Sequence, residues 1–177
     1  LHRIPKPVIA KVNGVAVGAG MNLALGCDLI VASEQARFSE IFARRGLTID
    51  FGGSWLLPRL VGMHRAKELA LFADIISAKE AAEMGLVNRV VPLDQLEPAV
   101  KDMARTIADN APLTVRTAKL VVGELLVVDV LLLEHFAVID VRPCALVLRD
   151  RAAEVVLVDV AEGDVVAAVG FRELAPG

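Results

Sequence analysis

The stretch from Val8 to Ala32 constrains the fold most, because it packs two apolar segments, a tight turn, a glycine-rich entry and a helix-forming run into one short span. Val8-Ile9-Ala10-Lys11-Val12 has the branched, apolar make-up of a short buried strand and is ended by the turn pair Asn13-Gly14. Val15 to Val17 continues the strand, and Gly18-Ala19-Gly20 leads into Met21-Asn22-Leu23-Ala24-Leu25, a run of good helix formers. A second strand is expected over Asp28 to Ala32. Strand, turn, glycine entry, helix, strand is the alternation of a layered α/β fold.

Further along, Gly62 to Phe72 predicts a helix with Ala66, Leu69, Ala70 and Ala73 on one side. Ser77-Ala78-Lys79-Glu80 is a capping-box pattern opening a short helix that ends at Gly85, and Val87 to Val91 predicts a strand. Leu96, Val100, Met103 and Ile107 make a helical stripe that stops before Pro112, and another helix is expected over Leu113 to Val122. Past that point valine becomes dense and clear periodicity is lost, which leaves a β-rich subdomain and a helical region both open, and residues 1–122 are taken as the core with 123–177 as a separate C-terminal region.

With 177 residues, 55% of them apolar and 23% charged, the chain is large enough for one core and too apolar for disorder. A net charge of −3 leaves no basic footprint for nucleic acid or an anionic membrane surface. The apolar run from Leu125 to Leu133 is interrupted by Asp129 and is far shorter than the ~20 residues of a membrane span. Cys27 and Cys144 stand far apart without a CxxC, and His2, His64 and His135 lack metal-ligand spacing. Neither a disulfide framework nor a metal is indicated, and a reducing cytoplasm fits.

Two places can carry chemistry. Unpaired backbone amides at the Gly18-Ala19-Gly20 entry can hold a developing negative charge, although a simple packing turn explains the same residues. The third glycine of a dinucleotide-binding turn is replaced by Leu23, and no Lys-Ser or Lys-Thr follows to make a P-loop. In Thr48-Ile49-Asp50-Phe51-Gly52-Gly53-Ser54 a carboxylate sits between apolar residues, where burial by Ile49 and Phe51 would favour its protonated form and make it an acid/base group. The competing reading is an Asp that only accepts a turn or cap hydrogen bond. Glu40, beside Phe38, is a second carboxylate of lower specificity; Arg44-Arg45 reads as a solvated face or subunit contact, and Trp55 as core packing under the glycines.

The strings KPVIAKVNGVAVGAGMNLALGCDLIVAS, ARFSEIFARRGLTIDFGGSWLLPRLVG and SAKEAAEMGLVNRVVP resemble, in this order, the enoyl-CoA hydratase/isomerase (crotonase) superfamily. The resemblance covers Pro5 to about Val122, with a weaker likeness at Asp159 to Glu173. It implies a partial spiral of ββα repeats followed by a C-terminal helical region, assembled as a homotrimer or dimer of trimers. It also implies an acyl-CoA thioester as substrate, with coenzyme A as part of the substrate and no separate cofactor. The thioester oxygen, as an enolate, would be held by two backbone amides. One of these maps onto Ala19, flanked by Gly18 and Gly20. The other belongs to an upstream segment without a match after Leu1, so a fragment lacking the family's first third is expected, and alone a poor catalyst.

In family hydratases two glutamates hold a water, and the matching positions here are Asn22 and Phe42. Asp50 matches the place where several isomerases carry a catalytic aspartate. The resemblance therefore implies double-bond isomerisation with Asp50 and Ala19 as catalytic residues, and Phe42 and Ile49 lining a water-poor acyl pocket. Water addition using another carboxylate, a non-catalytic acyl-CoA-binding relative, and a structural fragment are the alternatives.

Overall fold

The computed structural model describes residues 1–124, 156–160 and 168–170. The chain enters through strand β1 (Val8–Val12), turns at Asn13-Gly14 into β2 (Val15–Val17), and passes directly into helix α1 (Ala19–Leu25). Strand β3 (Leu29–Ser33) and β4 (Arg37–Ser39) follow, then a 3₁₀ turn over Ile41–Arg45. Helix α2 (Gly53–Phe72), β5 (Ile76–Ser77), α3 (Ala78–Glu83), β6 (Arg89–Val91), a 3₁₀ turn at Leu93–Gln95, α4 (Leu96–Ala108) and α5 (Pro112–Glu124) come next. Two further strands are β7 (Val156–Val160) and β8 (Ala168–Gly170).

These strands form two sheets, one in the order β6-β3-β1-β7-β8 and one in the order β2-β4-β5. β1 pairs in parallel with β3 and with β7, which places it inside the larger sheet. Its residues explain that position. Val8, Ala10 and Val12 face one side and join the main core with Met21, Phe38 and Leu57, while Ile9 faces the other and packs with Val31, Leu96 and Val100. The second cluster is the stripe of α4, whose Leu96, Val100 and Ala104 recur every four residues. Lys11 also faces that side, where its ammonium reaches the Glu97 carboxylate at 3.0 Å.

Most expected elements are present, with instructive differences. Asp28 lies just outside β3, and its carboxylate accepts the Val8 N–H at 2.7 Å and pairs with Lys119 Nζ at 2.7 Å. Lys119 also donates to the Lys6 carbonyl, so α5 is pinned to the entrance of β1. The capping box of α3 is formed in full: Ser77 Oγ accepts from Glu80 N–H, and the Glu80 carboxylate accepts from Ser77 N–H. The helix expected from Gly62 begins nine residues earlier, at Gly53, and is kinked at Gly62, whose φ of 76° and ψ of 162° break the helical path. Pro58 and this kink erase the periodic signal of the first half. The strand expected over Val87 to Val91 is confined to Arg89–Val91, because Val87 turns inward to the core and Asn88 caps the sheet through its Oδ1 on Ile30 N–H.

The helical character expected for 123–177 does not extend to the described parts of that region beyond α5. Residues 156–160 and 168–170 are strands, with β8 antiparallel to β7. The segment VLVDV is rich in branched residues that suit a pleated surface, and it completes a second ladder for β1. Cys144, His135 and the rest of 125–155, 161–167 and 171–177 lie outside the described residues. No helix among the described residues is long and apolar enough to cross a membrane.

Candidate active site

The glycine-rich entry is built by a strand that runs into a helix without a loop. Gly18 takes φ 55° and ψ −124°, a conformation that suits glycine alone, and its N–H donates to Ser39 O at 2.8 Å, carrying the β2–β4 ladder one residue further. A side chain at Gly18 would also abut the Phe42 ring, whose Cζ lies 3.4 Å from an added Cβ. The first bond along α1 runs from Asn22 N–H to Gly18 O at 3.0 Å, so the amides of Ala19, Gly20 and Met21 have no acceptor within the helix. Gly18 and Gly20 are buried, Ala19 is half-buried, and Phe42 is buried over the turn. These residues can present N–H groups to an oxyanion with an apolar wall beside it.

The Asp50 segment reaches the same place by a different route. Between the 3₁₀ turn and α2 the chain makes a tight turn in which Gly53 N–H donates to Asp50 O at 3.0 Å. Phe51 and Gly52 occupy its centre with φ of 50° and 82°. A phenylalanine there is held in a left-handed conformation, a local strain of the kind concentrated at functional sites. The turn is docked on α1 by Asn22, whose Nδ2 donates to Asp50 O at 3.0 Å and lies 3.4 Å from Glu40 Oε2. Gly53 makes this docking possible, because any Cβ there would sit 2.4 Å from Asn22 Nδ2.

Several expectations are corrected at this point. Asp50 is exposed, Ile49 is half-buried and Phe51 is 60% exposed, so the apolar neighbours do not enclose the carboxylate in the described chain. The turn points the Phe51 ring outward through its positive φ. The carboxylate is no helix cap either, since the cap of α2 is Gly52 with no side-chain bond. Trp55 is not core: it is 37% exposed, with the Arg59 guanidinium 4.1 Å from its ring centroid and the His2 ring against its edge. Placed on the first turn of α2, it borders a cleft of about 420 Å³ with Leu23, Phe51 and Leu56 rather than lying beneath the glycines.

Two residues carry more of the site than their sequence context indicates. Glu40 is completely buried, and burial pushes its carboxyl up to about 7, with the Asn22 hydrogen bond opposing the rise and the charge of Asp50 adding to it. Asn22, 1% exposed, is the bridge between Glu40 and the Asp50 turn. The available signal was spacing: Glu40 follows Phe38 by two residues at the end of a buried strand, and Asn22 lies one turn beyond Gly18. Among the described residues no group of histidine, cysteine and carboxylate side chains is placed to hold a metal.

The sequence profile of enoyl-CoA hydratase/isomerase aligns with residues 1–126, the span that holds both the glycine-rich turn and the Asp50 turn. The chain belongs to the enoyl-CoA hydratase/isomerase family. It is 45% identical over 119 residues to the short-chain-enoyl-CoA hydratase of Clostridium acetobutylicum, covering 67% of this chain and 46% of that protein. It is 46% identical over 108 residues to the 1,2-epoxyphenylacetyl-CoA isomerase of Escherichia coli, covering 61% and 41%. The crystal structure of enoyl-CoA hydratase from Bacillus anthracis superimposes with a TM-score of 0.71 at 42% identity, over 72% of this chain and 50% of that one. The fold is thus the α/β core of this family, and the chain spans about half the length of the curated relatives it matches.

Proposed function

We propose that the full-length protein processes acyl-CoA thioesters by moving a carbon–carbon double bond, with Asp50 as the acid/base group and the Ala19 amide as one of two donors to the thioester oxygen. The observation that carries this reading is the use of Asn22 and Phe42. At these two positions a water-holding pair of carboxylates would be expected for hydration, yet the Asn22 amide nitrogen is engaged by Glu40 and by the Asp50 carbonyl, and the Phe42 ring packs on Gly18. What the turn leaves facing outward is the Asp50 carboxylate, which accepts no hydrogen bond among the described residues.

The step balances without a co-reactant. Asp50 removes a proton from the carbon between the thioester and the double bond, the electron pair moves onto the thioester oxygen, and the Ala19 N–H stabilises that enolate. The protonated Asp50 then delivers its proton to the far end of the delocalised system, giving the conjugated thioester. Gly18 and Gly20 let the backbone approach the oxygen, while Phe42 and Ile49 form the apolar side of the acyl site. Coenzyme A enters as part of the substrate, and no further cofactor is invoked.

Hydration is the second reading, favoured by the name of the Clostridium relative. Glu40 is a poor candidate for its base, because its carboxyl is sealed from water behind Asn22. We also infer a cytoplasmic homotrimer or dimer of trimers. Exposed Leu60, Met63, Leu71, Phe72 and Ile75 on and after α2 support a subunit contact, and light scattering of the full-length protein reads the assembly directly.

Proton NMR in deuterated water, with a short 3-enoyl-CoA and separately a 2-enoyl-CoA, tests the reaction. Deuterium uptake with bond migration is expected, falling ~10²–10⁴-fold in Asp50→Asn. A 3-hydroxyacyl product without migration, or an unchanged Asp50→Asn rate, refutes the isomerase reading. Binding without deuterium uptake identifies a non-catalytic relative.

A further inference from the structure

A buried carboxyl that reaches no reacting atom needs a reason to be there, because an ionised group in an apolar interior costs several kcal/mol. Glu40 is 0% exposed, its Oε1 has no partner, and its Oε2 faces a single donor, Asn22 Nδ2. Asn22 is equally enclosed, its Oδ1 is also without a partner, and both of its engagements run through one nitrogen. An amide nitrogen carries two hydrogens, so it can hold both acceptors at once. The pair therefore links the end of β4 and the first turns of α1 to the main-chain carbonyl of the Asp50 turn.

We propose that Glu40 is a positioning residue for Asp50: its carboxyl anchors the Asn22 carboxamide, whose other N–H grips the Asp50 carbonyl and thereby sets where the Asp50 side chain enters the site. The inference rests on the reading of Asp50 as the acid/base group. Without Glu40 the carboxamide has only the Asp50 carbonyl to hold its plane, since Gly53 offers it no side chain. With Glu40 ionised the Asn22 contact becomes a charge-assisted bond, stronger than its neutral counterpart. Burial places that ionisation at about 7. The charged group bearing on it from the Asp50 turn is Asp50 itself, while Arg44, on the segment that follows Glu40, is paired with Asp74. Asn22 is the polar group facing it from α1.

Two measurements on the full-length protein test this. The Asn22 side-chain amide signals, assigned by their loss in Asn22→Ser, are followed by NMR from about pH 5 to pH 9. They are expected to titrate with a midpoint near 7 in the wild type and to stay flat in Glu40→Gln. Turnover of the 3-enoyl-CoA is expected to show a kcat ~10- to 100-fold lower in Glu40→Leu with KM little changed, and Glu40→Gln is expected to regain most of it. Wild-type kcat should also rise through neutral pH, a limb missing from Glu40→Gln. Asn22 signals that do not titrate, or Glu40→Leu with wild-type kcat, overturn the proposal. If Glu40→Leu does not fold, the Glu40→Gln profile decides: a retained limb overturns the proposal and a lost limb supports it. A fully active Asp50→Asn protein refutes the Asp50 reading but not the anchor, which the Asn22 titration decides separately.

Discussion

Replacing Glu40 by glutamine should change how stability depends on pH. Folding raises the proton affinity of this carboxyl from 4.5 to about 7, with burial as the leading cause. Between those values the folded chain binds more protons at Glu40 than the unfolded chain does. Its contribution is therefore fully present below 4.5 and is lost as pH rises through about 7. At about 1.4 kcal/mol for each tenfold in proton affinity, the whole effect is about 3 kcal/mol. Integrated between about pH 5 and about pH 8, it amounts to about 2 to 3 kcal/mol. Glutamine keeps the shape and an acceptor oxygen but cannot ionise. Urea unfolding of wild type and Glu40→Gln at these two pH values gives a difference of differences in which the other carboxylates cancel. The variant is expected to gain about 2 to 3 kcal/mol on the wild type at the higher pH. A gap that stays constant to within about 0.5 kcal/mol would refute the reasoning, since Glu40 would then be solvated or fully paired in the folded protein.

Gly53→Ala places a Cβ 2.4 Å from Asn22 Nδ2, so the carboxamide must move; urea unfolding should register about 1–3 kcal/mol of destabilisation, and turnover should fall with it. An alanine variant of wild-type stability and rate would show that the turn is not docked this closely. The Cys27 thiol is pushed up to about 12, chiefly by burial with a smaller push from the charge of Asp28, which leaves little thiolate at neutral pH. Alkylation by iodoacetamide near pH 8, mapped to the peptide carrying Cys27, should run ~10³-fold slower than in the urea-unfolded chain. Equal rates would place that sulfur at the surface.

The elements set by local chemistry were legible in the sequence. Asn13-Gly14, the Gly18 entry, the Ser77–Glu80 box and the four-residue stripe of α4 each carry their own turn, cap or packing logic, and each is found where expected. The first half of α2 was not, because Pro58 and the kink at Gly62 disrupt the period that announces a helix. The site divided along the same line. The glycine-rich turn depends on the backbone between Gly18 and Asn22, which neighbouring residues specify. The surroundings of Asp50 depend on contacts with residues 28 and more positions away and on the positive φ of Phe51, which flanking hydrophobicity does not encode. Apolar neighbours suggested burial for Asp50 and Trp55, and tertiary packing exposed both. Glu40 was the converse case, a charged residue drawn inside just past the end of β4, where the chain turns into the 3₁₀ segment.

The bond from Gly18 N–H to Ser39 O makes the glycine-rich turn a continuation of the sheet ladder. Its geometry is inherited from main-chain pairing and from the glycine at position 18, which alone suits φ 55° and ψ −124°. The Asp50 turn, by contrast, is moored to that frame through one replaceable carboxamide. A scaffold divided in this way lets the Asp50 turn be reshaped or repositioned by point substitutions while the Gly18 turn stays in register. Substitutions at Asn22, Glu40 and the residues from 48 to 53 would change that mooring and leave the main-chain path over residues 8 to 20 untouched.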